Sequence, residues 1–164
     1  MKKGLLVFLM LIAIFVHGKL IFANESKTEE NIEKNVENMG SELVLIENLF
    51  RERTHIWNDL YESNRKLEFY KEKLSQVVAE PLLAFDLGVL ESLLNDPTDL
   101  DRVLEVNVVQ LEDLYYGKTN MISTATILWK MKGLEAQYVE EIRYKVILVK
   151  DKGVWKLSDY SVIQ

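Results

Sequence analysis

The chain has 164 residues, of which 48% are hydrophobic, and it contains no cysteine, seven glycines and two prolines. This composition excludes a disulfide scaffold, a cysteine-ligated zinc site, a thiolate enzyme and a largely disordered chain. Asp and Glu outnumber Lys and Arg by 26 to 20, and the length predicts a single domain.

The N-terminus has the pattern of a secretory signal. A positively charged start precedes an apolar run from Leu5 to Val16, which fits the core of a signal peptide and is shorter than the ~20 residues of a membrane span. Ala23 is a small residue suited to the position before a cleavage site. We therefore predict a signal peptide over residues 1–23. The alternative is an uncleaved anchor, which also places the rest of the chain outside the cytoplasm.

The predicted mature chain is strongly acidic. Without residues 1–23 it carries 17 Lys and Arg against 26 Asp and Glu, a net charge of −9. Such a chain repels phosphate backbones and anionic lipid surfaces, so we predict no nucleic-acid partner and no membrane contact except through an uncleaved signal segment. An exported chain without cysteine is typical of a bacterium that does not rely on oxidative folding.

The next part of the chain has helical patterns. Residues 24–40 are polar, and Ser26-Lys27-Thr28-Glu29 has the spacing of a capping box, so we predict a polar tether or a marginal helix there. From Ser41 to Ala79 apolar residues recur at a spacing of three or four, which predicts one long helix or two helices divided near Ser63-Asn64. Pro81 ends this pattern, and the segment from Pro81 to Leu94 is so apolar that we expect a helix buried on most sides.

Beyond Arg102 the apolar period changes from helical to alternating. The segment from Val103 to Tyr116 fits a helix or a strand, and its four valines favour a strand with a bulge near Val108-Val109. Two further strands follow, and Asp151-Lys152-Gly153 predicts a hairpin into a closing strand, Val154 to Ile163. The face of the second strand that we expect to be buried carries Met121, Ser123, Ala125, Ile127, Trp129 and Met131. Residues 41–164 are thus predicted to form one α+β domain, with N-terminal helices packed on an antiparallel sheet of about four strands.

The closing sequence resembles the last hairpin of the nuclear transport factor 2-like superfamily, in which a lysine-glycine turn leads into Trp-Lys-Ile/Leu. In this chain the matching residues are Lys150-Asp151-Lys152-Gly153-Val154-Trp155-Lys156-Leu157-Ser158-Asp159-Tyr160. The order of elements over residues 41–164 is also similar to that fold. The resemblance implies a strongly curved sheet that forms a cone with a pocket at its wide end. Family members usually insert a helix after the first strand, and this sequence has no place for it.

The chain offers few residues for catalysis or metal binding. The predicted mature chain has one histidine, His55, on a charged helical stretch, and it has neither a nucleophile motif nor a phosphate-cradling glycine loop. Asp96, Asp99 and Asp101 lack the EF-hand spacing, so we interpret them as a turn and a helix cap. We therefore predict no enzymatic activity, no cofactor and no metal.

One set of residues remains as candidate pocket lining. Ketosteroid-isomerase relatives of the resembled fold hold an acidic base and a tyrosine inside the cone. The positions in this chain do not match that enzyme's motif, so no catalytic role is carried over. Asp159 is in phase with Trp155, but the pattern after it predicts a switch of phase that turns Asp159 outward. The candidates are Tyr61, Trp129, Tyr144, Asp159 and Tyr160.

We predict a bacterial, exported, non-enzymatic binding or interaction module of the cell envelope or exterior, with another envelope or extracellular protein as its partner. A cone-pocket carrier or isomerase-like enzyme is one alternative, and oligomerisation through the helix within residues 41–79 is another. An interior filled by its own aromatic residues favours the interaction module. A buried carboxyl group beside a tyrosine in an open cavity favours the carrier or enzyme. Pairing of helices requires an exposed stripe of Leu43, Ile46, Phe50 and Trp57.

Overall fold

The computed structural model describes residues 30–163 except 64 and 99, with side chains from Met39 onward apart from that of Tyr61. The predicted signal peptide and the first residues of the predicted tether lie outside the described residues. In these described residues three helices precede four strands, which confirms the predicted α+β class. The elements are α1 (Glu30–Asn58), a 3₁₀ turn (Asp59–Tyr61), α2 (Leu67–Val77), α3 (Leu82–Asn95), β1 (Arg102–Tyr116), β2 (Asn120–Lys132), β3 (Gln137–Asp151) and β4 (Val154–Val162).

Helix α1 lies across the sheet and is separated from α2 near the predicted break. It begins at Glu30, before the strongly helical pattern that starts at Ser41, so the helix includes much of the segment predicted as a tether or a marginal helix. Its apolar stripe faces the sheet, because Ile46 and Phe50 are fully buried there. The exposed stripe that pairing through this helix requires is therefore not present. None of the helices in the described residues is both long and apolar enough to cross a membrane.

Helix α3 is less buried than its composition predicts. Only Leu82, Asp86 and Leu90 are buried, whereas Phe85 is 40% exposed. The helix packs on α2 and beside β4 in the outer layer of the molecule. The expectation of burial on most sides is wrong, because only three of the 14 residues of the helix are buried.

The four strands form one antiparallel meander in the order β1-β2-β3-β4. All six residues predicted for the inner face of β2 are buried. Strand β1, the ambiguous segment, has three register shifts, and the one between Val108 and Gln110 is the predicted bulge. Bulges bend a strand and increase its twist, so these shifts help to curve the sheet around α1.

Other parts of the chain contact both edges of the sheet at single points. At β4, Ala79 N donates to Leu157 O at 2.8 Å, and Ser158 Oγ donates to Glu80 O at 2.6 Å. At β1, the backbone N–H of Val108 donates to Glu47 Oε2 at 3.0 Å, and Asn58 Nδ2 donates to Val103 O at 2.7 Å. The bonds at Leu157 O, Val108 N and Val103 O occupy edge groups that would otherwise invite pairing with the strand of another chain.

The closing hairpin places Trp155 and Leu157 on the same face of β4 but at different depths. Leu157 pairs with Leu148 and is fully buried, whereas Trp155 is half-buried beside the turn, with Lys150 Nζ 5.5 Å above its ring. We expect Leu157→Ala to lower the free energy of unfolding by about 2–5 kcal/mol and Trp155→Ala to lower it by less. Urea denaturation of both variants measures this. A larger loss at Trp155 would contradict the observed register.

Candidate functional site

Three of the five candidate pocket residues meet between α1 and the sheet. Trp129 on β2, Tyr144 on β3 and Tyr160 on β4 surround the ring of Phe50. The ring centroid of Phe50 lies 5.8 Å from that of Trp129, 6.4 Å from that of Tyr144 and 5.1 Å from that of Tyr160. These separations are typical of packed aromatic pairs. The rings therefore fill the interior of the curved sheet.

A buried ion pair joins this aromatic cluster to α3. Arg53 on α1 donates through Nε to Asp86 Oδ2 at 2.8 Å and through Nη2 to Asp86 Oδ1 at 2.5 Å. Both residues are buried, and Asp86 is 0% exposed. The guanidinium carbon lies 5.5 Å from the ring centroids of both Trp57 and Tyr160. Two charge-assisted hydrogen bonds and two aromatic ring faces thus replace the hydration that the guanidinium of Arg53 loses on burial.

The pKa values of Arg53, Tyr144 and Tyr160 are all raised in this cluster, which moves them further from neutral pH. Burial by itself lowers the pKa of Arg53, but the Asp86 carboxylate and Tyr160 outweigh it, so the pKa lies above the usual value. Burial raises the pKa of Tyr160, and Arg53 offsets that only in part. Burial likewise raises the pKa of Tyr144. General acid–base catalysis needs a pKa near the working pH, and none of these three shifts supplies one.

Asp159 lies on the opposite face of the sheet from the aromatic cluster. The register shift in β4 falls at Ser158, so Leu157 pairs with Leu148 while Asp159 pairs with Ile147. Residues paired across strands share a face, so Asp159 is on the outer face with Ile147. The predicted switch of phase is observed. The remaining candidate, Tyr61, has its backbone in the 3₁₀ turn, and its side chain lies outside the described residues.

Sequence reasoning missed Phe50, Arg53 and Asp86 as parts of this site. A signal was present, because Arg53 interrupts the apolar seam of its helix and Asp86 is a single acid within the apolar first half of α3. Charged residues on apolar helix faces are seldom buried without a partner. The pattern could have identified two buried charges, but their pairing depends on how α1 and α3 pack.

A separate cavity lies at the C-terminal end of α3. It has a volume of about 440 Å³, and its apolar lining consists of Leu60, Leu93, Leu94, Pro97 and Leu100. Trp129, Tyr144, Asp159 and Tyr160 do not line it. Across the described residues, no three acidic or histidine side chains converge in a way that could hold a metal ion.

Comparison with known proteins identifies a similar fold. No protein-family model matches the chain, and no curated protein matches it. Among solved structures, the chain is similar to the intermembrane space region of the chloroplast protein ARC6, with 15% sequence identity and a TM-score of 0.51. The match covers 74% of this chain and 95% of that chain. At this identity the likeness shows a shared fold.

Proposed function

We propose that the chain is an exported, non-enzymatic protein-interaction domain of the bacterial envelope or exterior, built on the nuclear transport factor 2-like cone. The filled interior is the observation that carries this proposal. Phe50, at the centre of the cluster, is 0% exposed and touches aromatic rings from three strands. A domain whose interior is occupied by its own side chains acts through its exterior.

The state of the acidic groups supports the proposal over an isomerase-like enzyme. Such an enzyme needs a carboxyl group beside a tyrosine in an open cavity. Asp86 is near Tyr160, but both of its oxygens accept hydrogen bonds from Arg53 and it is 0% exposed. Asp159 shares the outer face of the sheet with Ile147. Neither carboxylate is available to a ligand inside the cone.

Two observations support a location outside the cytoplasm. The N-terminal sequence has a positive start, an apolar run and a small residue at a suitable cleavage position. The structurally similar region of ARC6 lies in an intermembrane space. Both observations support a folded domain that follows an export signal.

The outer face of the sheet is the surface that we assign to a protein partner. It presents Val139 at 58% exposure, together with half-buried Ile122 and Leu128. Two ion pairs cross its strands, Lys130 Nζ to Glu105 Oε1 at 2.7 Å and Arg143 Nη2 to Glu112 Oε2 at 2.6 Å. Apolar side chains among charged ones are typical of non-obligate interfaces.

Site-specific photo-crosslinking in the native organism tests the proposal. A photoreactive amino acid at Val139 or Lys145, both exposed on the outer face, should form a covalent adduct with another envelope or extracellular protein. The same amino acid at exposed Gln76 of α2 is the matched control and should form none. Adducts from Gln76 alone, or a small molecule that co-purifies with the chain in equimolar amount, would contradict the proposal.

A further inference from the structure

The turns that join β1 to β2 and β3 to β4 lie side by side at one end of the sheet. The backbone N–H of Lys150, just before the second turn, donates to Thr119 O in the first turn at 2.8 Å. Lys118, Lys150 and Lys152 are exposed at this end. None of these three side chains belongs to a salt bridge within the described residues. We refer to Lys118, Lys150 and Lys152 as the lysine end of the sheet.

The lysine end differs in charge from the rest of the molecule. Residues 39–101, which include the helices that pack on the sheet, carry 13 Asp and Glu but only six Lys and Arg. Residues 102–163 carry eight Asp and Glu and nine Lys and Arg, and the lysine end supplies three of those nine. A local excess of positive charge in an acidic molecule directs the approach of an anionic ligand to that place.

The acids near the lysine end do not balance its charge. Asp151 lies between two of the lysines, but Lys156 Nζ pairs with its Oδ2 at 2.6 Å. The hydrogen bond and charge of Lys156 hold the pKa of Asp151 below its usual value, and the charge of Lys152 contributes to the same effect. Glu42 on α1 accepts a hydrogen bond from Tyr116, next to the first turn. Its single carboxylate leaves the three lysines in excess.

The hairpin between β3 and β4 holds Lys152 in a defined position. Lys152 and Gly153 have φ values of 50° and 88°, and they connect the paired residues Asp151 and Val154. Positive φ at both central residues is typical of a type I′ turn, in which Asn, Asp and Gly are the preferred residues. Lysine adopts a positive φ less readily. The hairpin therefore presents a charged side chain where local backbone preference favours a shorter residue.

Apolar surface lies beside these cations. Val154 is 57% exposed at the start of β4, and the neighbouring ring of Trp155 is half-buried. Lys150 Nζ lies 5.5 Å from the centroid of that ring. A surface that combines an aromatic ring, an exposed aliphatic side chain and charges is typical of contacts between proteins.

We propose that the lysine end binds an acidic segment of a partner protein. The carboxylates of the segment pair with the three lysines, and its apolar side chains cover Val154 and Trp155. An extended anionic surface, such as a lipid bilayer, would also meet the acidic remainder of the chain and be repelled by it. A narrow peptide meets the lysine end alone. This inference goes beyond the proposed function, because it concerns the turns and does not depend on cross-links from Val139.

Fluorescence anisotropy with a labelled decaglutamate peptide tests the proposal on the exported protein. The wild-type protein should bind the peptide saturably, and added salt should weaken the binding. The combined variant Lys118→Gln, Lys150→Gln and Lys152→Asn should bind the peptide about tenfold or more weakly, because it lacks the three cations. Asparagine suits the positive φ at position 152, so the hairpin should keep its fold. Circular dichroism checks this.

The matched control removes the same charge elsewhere. Lys66→Gln, Lys71→Gln and Lys73→Gln change three exposed residues on or beside α2, and this combined variant should keep the wild-type affinity. Four results would overturn the proposal: a wild-type protein that does not bind the peptide, a lysine-end variant that binds it as the wild type does, an equal loss in the α2 variant, and tighter binding to phosphatidylglycerol vesicles than to the peptide.

Discussion

Replacing Arg53 with alanine should lower the free energy of unfolding by about 3–5 kcal/mol, because it leaves a buried charge without its partner. The carboxylate of Asp86 is 0% exposed, and both of its oxygens accept hydrogen bonds from Arg53. Asp86→Ala should cost a similar amount, since the guanidinium would then stay buried without its anion. Urea denaturation near neutral pH measures both losses.

Two controls distinguish the cost of leaving one buried charge without a partner from the cost of losing the ion pair itself. The double variant Arg53→Met with Asp86→Leu should be far more stable than either alanine variant, because apolar side chains replace both charges. Arg102→Ala breaks the exposed pair with Glu62, and it should cost less than about 1 kcal/mol. An Arg53→Ala variant within about 1 kcal/mol of the wild type would show that the pair is not buried.

Phe50→Ala should lower the free energy of unfolding by about 3–5 kcal/mol, because it removes the ring at the centre of the aromatic cluster. Trp129, Tyr144 and Tyr160 would each lose an aromatic contact. Phe69→Ala on α2 is the comparison, because Phe69 is half-buried with Arg65 above its ring. Urea denaturation should give the larger loss at Phe50. Equal losses would mean that the interior rearranges to fill the space.

The sheet was largely predictable because the alternation of apolar and polar residues along a strand indicates which of its faces is buried. It identified the inner face of β2, while the valines of β1 indicated the bulge near Val109 and Asp151-Lys152-Gly153 indicated the hairpin, in which Gly153 has a positive φ. The start of α1 was not predictable in this way. Its first turns are polar, and a helix with a packed part extends cheaply into residues that have no apolar period.

Within the site, only the residues that lie on strands were predictable from the sequence. The pattern found Trp129, Tyr144 and Tyr160, but it could not select the helix that faces them. Arg53 and Asp86 are 33 positions apart, so their pairing follows from tertiary packing. Composition also could not show how far an apolar helix such as α3 is buried, since Phe85 of this helix is 40% exposed.

Indole binding followed by NMR tests most directly the central proposal that the interior is filled. Wild-type protein should show no saturable change at Trp129, Tyr144 or Tyr160 as indole is added. The Phe50→Ala variant should show saturable shifts at the same residues, because an apolar cavity left by a removed ring can bind a small aromatic molecule. Saturable shifts of these residues in the wild-type protein would show an open interior and contradict the proposal.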